Sequence, residues 1–260
     1  MSWGGGLTVG APRGAFRPSV IFLCLVALFA ATGVMLWVGF GSVGLNVFLF
    51  VLAGWLVSLC LHEYAHALVA FKGGDRSVAH KGYLTLNPLL YSHPLLSIAL
   101  PLLIIIIGGI GLPGGAVQVE RHALRSKLWD SLVSLCGPLV NVAFAIVLIV
   151  PVVVTGGTIG SAGFWAGAAL LGFLQLTVAV LNLLPVPGLD GGNLIFPWLS
   201  PQGQRGFANV APYGLLIVMA VLFVPQINRI FFTVVYAIAD VVGLSPQLYA
   251  QGYDLFRFWS

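Results

Sequence analysis

The residues able to do chemistry in this chain fall in separated short stretches. One is His62-Glu63-Tyr64-Ala65-His66, with two imidazoles four residues apart. On a helix, positions i and i+4 project from one face about 6 Å apart along the axis, so both rings can reach one tetrahedral metal ion. Glu63 then points aside, placed to act on a water at the metal rather than to bind the metal itself. A catalytic zinc takes three protein ligands and keeps a position for water, so a third ligand has to come from elsewhere. Asp190 is the candidate, within Asn182-Leu183-Leu184-Pro185-Val186-Pro187-Gly188-Leu189-Asp190-Gly191-Gly192. There two prolines end an apolar run and the glycines allow a sharp backbone turn. A helix N-cap or a plain loop carboxylate is the ordinary alternative for Asp190. Two neutral histidines bridging helices, beside a protonated Glu63, is the alternative for the first motif. Ionisable groups inside a membrane helix are costly and rarely kept without a partner, and three within one and a half turns favour a metal.

The elements that carry these residues follow from composition. Of 260 residues, 59% are apolar and only 7% charged, against roughly a quarter charged in a soluble domain. Such a chain has more apolar surface than a water-facing globule can hide, which excludes a soluble enzyme and indicates a polytopic membrane protein of one domain. The basic residues behind the net charge of +4 stand singly between apolar segments, so no nucleic-acid partner is expected. Cys24, Cys60 and Cys136 are odd in number and embedded in apolar runs, which indicates core packing rather than disulfides or a thiolate cluster.

Runs long enough to cross the hydrocarbon, about 20 residues each, lie at Val20 to Phe40, Asn46 to Phe71, Leu95 to Leu112, Leu132 to Val154 and Phe164 to Leu184. A longer one, Val210 to Leu244, is interrupted by Pro225, Asn228 and Arg229 and reads as one crossing plus a shorter helix or a broken pair. The expected fold is therefore an all-α polytopic membrane protein of about six transmembrane helices. Residues 1–19 read as a disordered tail, 20–244 as the transmembrane domain with its metal core at about 46–208, and 245–260 as a C-terminal tail. Gly82-Tyr83-Leu84-Thr85-Leu86-Asn87-Pro88 alternates apolar with more polar residues between Gly and Pro, which predicts a short strand. Ala116-Val117-Gln118-Val119-Glu120 has the same character, and the two are expected to pair as a small sheet at the membrane edge.

Together, HEYAH at 62–66, GPLVN at 137–141 and NLLPVPGLDGG at 182–192 resemble, in order, the site-2 protease family of intramembrane zinc metalloproteases. These elements span about half the chain. The resemblance implies one Zn²⁺ held by His62, His66 and Asp190, with Glu63 as the catalytic acid and base. It also implies a polar residue, Asn141, near the substrate, and hydrolysis of a peptide bond inside a transmembrane segment of a membrane-tethered substrate. Asn141 could donate a hydrogen bond to the developing oxyanion, or make an ordinary interhelical hydrogen bond. Tyr83, Leu84, Thr85, Leu86 and Asn87 are the expected substrate-binding edge, because a helical substrate has to be unwound before attack and an extended one can add to a strand. One departure stands at Tyr91-Ser92-His93-Pro94, where close relatives place Asp before the proline and this chain has His93. His80, His93 and His122 lie in polar or turn-rich stretches and receive no role. A transporter using the His and Asp residues would carry inverted repeats, which are not visible. A member that has lost proteolysis and only scaffolds membrane partners is disfavoured by the intact Glu63.

Charge sets the topology, because cytoplasmic loops collect Lys and Arg. With Arg13 and Arg17 inside, the second run ends inside at Lys72, Arg76 and Lys81. A full crossing at 95–112 would put Arg121, Arg125 and Lys127 outside and strand Asp190 on the face opposite the histidines. A re-entrant hairpin there, helped by Pro101, Gly108, Gly109 and Gly111, keeps all of them inside. The expectation is a plasma-membrane protein with its site toward the cytoplasm. Single cysteines placed at 118 and 159 should be labelled by an impermeant thiol reagent from opposite sides of the membrane, and labelling from one side refutes this topology.

Overall fold

The computed structural model describes residue 12 and residues 14–90 and 117–259. A serine opens each long helix. Ser19, Ser42, Ser126 and Ser161 have extended backbone and accept a hydrogen bond from the backbone N–H three residues on, at Phe22, Leu45, Trp129 and Phe164. Each such cap satisfies one of the donors that a helix leaves unpaired at its start. The helices so begun are α1 (Val20–Val38), α2 (Val43–Gly73), α4 (Lys127–Thr155) and α5 (Ala162–Asn182), with the single turn α3 (Ser77–His80) after α2. The remaining helices are α6 (Asp190–Ile195), α7 (Pro201–Val210), α8 (Gly214–Phe223), α9 (Pro225–Val241) and α10 (Pro246–Phe256).

Among the described residues, α1, α2, α4 and α5 are long and apolar enough to cross a membrane. The stretch through α7 and α8 is bent by 66° and the α9–α10 pair by 116°, which gives up to six crossings if each is one broken span. The all-α polytopic expectation agrees with this. Helix α10 lies within the C-terminal stretch, and its Gly252 and Phe256 are buried, Phe256 against the Phe48 ring of α2.

Contacts along the helices set their directions. His62 of α2 meets Asn141 of α4 and Gly73 meets Trp129, so these two run antiparallel, whereas Gly54 and Ser58 of α2 meet Leu171 and Gln175 of α5, so these two run parallel. α5 is the central helix, with 83% of its apolar window buried against 17% for α1, which is peripheral. The chain leaves α2 and enters α4 at one end of the bundle: the Arg125 N–H donates to the Gly73 carbonyl at 2.9 Å, and Trp129 packs on Gly73. The re-entrant reading of 95–112, and His93, lie outside the described residues.

The expected sheet is corrected. Tyr83–Thr85 is a turn of 3₁₀ helix, and no strand occurs among the described residues. Gly82 before it and Leu86 after it both have positive φ, 77° and 57°, which ends any extended run at each side. The apolar positions that resemble one face of a strand are buried instead against α2, with Leu84 fully covered beside Ala67 and Ala70. The Thr85 carbonyl accepts from the Ser19 N–H at 2.7 Å, tying the turn to the start of α1. Asn87 bonds locally to the Leu89 and Leu90 N–H groups. Tyr83 to Asn87 therefore form no strand edge on which a substrate could pair.

Leu171, fully buried at the centre of α5, and Leu139, 53% exposed on α4, separate the protein interior from the surface left to lipid. Leu171→Ala should cost about 2–5 kcal/mol and lower Tm in detergent by roughly 5 °C or more. Leu139→Ala should cost less than half as much in the same thermal scan.

Candidate metal centre

Helix α2 presents His62 and His66 on one face, as the spacing requires, with ring centroids 4.6 Å apart and Nε2 atoms 3.0 Å apart. Asp190 is the first residue of α6 and closes the group. Its Oδ2 lies 3.2 Å from His62 Nε2 and its Oδ1 3.4 Å from His66 Nε2. One ligand atom from each of the three residues lies within 4.8 Å of the others.

The far nitrogens of the two rings explain why the near ones are available. His66 Nδ1 is 2.5 Å from the Val133 carbonyl oxygen, which can only accept, so Nδ1 donates and the neutral ring has its lone pair at Nε2. His62 Nδ1 meets Asn141 Oδ1 at 2.6 Å, and with that oxygen accepting, its Nε2 is free in the same way. Two ring lone pairs and a carboxylate thus converge on one point. Arg121, at the cavity wall, is paired with Asp130 rather than with Asp190. The donor set, two imidazoles and one carboxylate with room for a fourth ligand, fits a catalytic zinc.

Gly137 of α4 makes the space. A Cβ there would lie 2.6 Å from His62 Nε2 and closer still to His66 Nε2, so any side chain at 137 would fill the point on which the donors converge. Backbone approach also delivers the aspartate. Pro185 and Pro187 end the helical path after α5, and Gly188 turns at φ 93°. A Cβ at Gly191 would run into the Leu183 and Leu184 carbonyls, and one at Gly192 into the Val186 carbonyl. The two glycines after Asp190 are needed for this close fold-back. Helix α6 is pinned to α4 by Ser131, whose hydroxyl donates to the Leu194 carbonyl and accepts from Trp198 Nε1, each at 2.8 Å.

Glu63 is buried, 2% exposed, and its Oε2 accepts from the Val117 N–H at 3.1 Å. It lines, with the two histidines and Asp190, a cavity of about 330 Å³ whose other walls include Trp55, Leu59, Val119 and Val178. Asn141 is in this cavity, but both hydrogens of its Nδ2 have partners within the protein, Gln175 Oε1 at 2.9 Å and Ser58 Oγ at 3.2 Å. His80 is exposed, and among the described residues His122 reaches Glu120, at 3.9 Å.

The structure brings His62, Glu63, His66, Asn141 and Asp190 to one cavity and leaves Tyr83 to Asn87 outside its lining. Sequence reasoning does not reach Ser58, Gln175 or the Val117 N–H, and it quotes Gly137 within GPLVN without the space that this glycine leaves. A glutamine and a serine within otherwise apolar spans are the available signal for the first two, since a polar side chain there needs a partner.

Comparison with known proteins agrees with this chemistry. The chain is 47% identical over 252 residues to the provisionally named zinc metalloprotease Rip2 of Mycolicibacterium smegmatis, covering 95% of this chain and 96% of that protein. The same figures hold for the Rip2 of Mycobacterium tuberculosis. The provisionally named zinc metalloprotease YwhC of Bacillus subtilis is 31% identical over 179 residues, 66% of this chain and 79% of that protein. No family model matches the chain, and no solved structure matches it.

Gly137→Val should leave the protein folded and reduce bound zinc by at least about tenfold, because the new side chain occupies the ion's place. Metal analysis of the purified protein, with circular dichroism as the folding control, checks this.

Proposed function

Since this chain belongs to the site-2 protease family of intramembrane zinc metalloproteases and is an integral membrane protein, we propose that it hydrolyses a peptide bond within a transmembrane segment of a membrane-tethered substrate. The observation that carries the proposal is Glu63, a buried carboxylate beside a His62, His66 and Asp190 group in a cavity walled by membrane-spanning helices. His62 Nε2, His66 Nε2 and an Asp190 carboxylate oxygen would hold the zinc. When bound, zinc acidifies a water molecule and polarises the scissile carbonyl.

Glu63 accepts the water proton and passes it to the leaving amine. It is next to His62 in sequence but on a different helix face, so it faces the cavity without competing for the ion. The Val117 N–H holds one of its oxygens in place, fixing the base by a contact from outside α2. Asn141 serves as a positioning residue for His62, its N–H groups being bonded to Gln175 and Ser58. Apolar walls at Trp55, Leu59 and Val178 suit the apolar side chains of a transmembrane segment and limit access of bulk water.

The site opens toward the cytoplasm in this proposal. What supports it is the distribution of charge: Lys72, Arg76, Arg125 and Lys127 stand where α2 ends and α4 begins, whereas the α1–α2 and α4–α5 loops carry no Lys or Arg. Asp190 follows α5 at that same end, because α5 runs parallel to α2.

Glu63→Gln is the decisive variant. Zinc content should stay at about one per chain, while cleavage of a model transmembrane substrate in detergent or liposomes falls by about 10²–10⁴-fold. Full cleavage by Glu63→Gln would overturn the general-base role, and an absence of cleavage by the unsubstituted protein across varied transmembrane substrates would overturn the activity.

A further inference from the structure

We propose that Gln175 and Ser58 are positioning residues for the metal centre: they set which way round the Asn141 amide sits, and through it which nitrogen of His62 carries the proton, a role that rests on His62 being a zinc ligand as proposed above. Both are 1% exposed, Ser58 on α2 one turn before His62 and Gln175 in the middle of α5. Gln175 Oε1 accepts from the Ser58 hydroxyl at 2.5 Å and from Asn141 Nδ2 at 2.9 Å. Ser58 Oγ accepts the other Nδ2 hydrogen at 3.2 Å.

An asparagine amide has a donor end and an acceptor end. With two acceptor oxygens on one side, the donor end faces them and Oδ1 turns to His62, 2.6 Å away. An oxygen cannot donate, so the hydrogen of His62 sits on Nδ1 and the Nε2 lone pair faces the metal position. The reversed amide would place an N–H against Nδ1, drive the ring hydrogen to Nε2 and close that ligand. His66 has no such dependence, because its Nδ1 bonds a backbone carbonyl, that of Val133, which has no second orientation. The chain from α5 through α4 to α2 therefore selects the tautomer of one ligand only.

Zinc affinity of the full-length protein in detergent, measured by competition with a chromophoric chelator, reads this directly. Gln175→Met, similar in size but without the acceptor, should bind zinc about 10–100-fold more weakly. Gln175→Glu keeps an acceptor oxygen and should stay within about threefold of the unsubstituted protein. Asn141→Leu should lose at least as much as Gln175→Met, and the double variant no more than Asn141→Leu alone, since the effect passes through Asn141. Unchanged affinity in Gln175→Met overturns the proposal, as do equal losses in Gln175→Glu and Gln175→Met, or additive losses in the double variant. If Gln175→Met does not fold, Ser58→Ala takes its place with an expected loss of about 3–10-fold, and unchanged affinity there overturns the proposal equally. His62→Ala, run alongside, separates the two levels. Zinc retained in it removes the ligand assignment itself, whereas zinc lost there but held by Gln175→Met removes only the positioning role.

Discussion

Two imidazole nitrogens 3.0 Å apart, each with its lone pair turned inward, and a carboxylate within 3.4 Å of both make a concentration of negative potential. In an apolar surrounding this is unfavourable by several kcal/mol unless a cation sits among them. A divalent ion turns the same arrangement into a stable one, and its binding energy is then available to hold the helices together. The polar residues buried between α2, α4 and α5 make sense as parts of this one arrangement. Val133 and Asn141 orient the rings, Gly137 leaves the ion its volume, and α6 brings the charge that balances it.

The architecture supports that convergence through backbone more than through side chains. Serine caps start the long helices at defined places, so that His62 and His66 fall at the depth of Gly137 and Asn141. The aspartate cannot come from a continuing helix, because it has to approach across the end of α5. Two prolines break the path, and Gly191 and Gly192 let the returning backbone lie against the carbonyls it has just left. Glu63 is held from yet another segment, through the Val117 N–H. Glu63 thus shares α2 with His62 and His66 but has a hydrogen bond of its own from outside that helix.

Much of the centre is legible in the amino-acid sequence. The i, i+4 histidines, the adjacent glutamate and the proline-bounded LDGG stretch point to the same chemistry that their spatial grouping supports, and low charge places that chemistry among membrane helices. What misleads is local pattern without a partner. Tyr83 to Asn87 alternate as a strand would, but alternation records only which side chains are buried, and a 3₁₀ turn packed on α2 buries Tyr83, Leu84 and Leu86 as well. Positive φ at Gly82 and Leu86 is a property of the closed loop, not of the seven residues read alone. Asn141 is recognisable as a polar residue in a membrane helix, but its facing cannot be read from the chain, because Gln175 and Ser58 lie 34 and 83 residues away.

By itself, the sequence determined which residues are candidate metal donors, the helical face that carries two of them, and the apolar spans in which they lie. These follow from short-range periodicity and from the cost of putting charge in hydrocarbon. Tertiary structure alone decided that the aspartate meets both rings, that the Asn141 amide presents its oxygen to His62, and that the loop after α2 coils instead of pairing. Each of those outcomes depends on contacts between residues distant in the chain, whose energies exist only once the helices have packed.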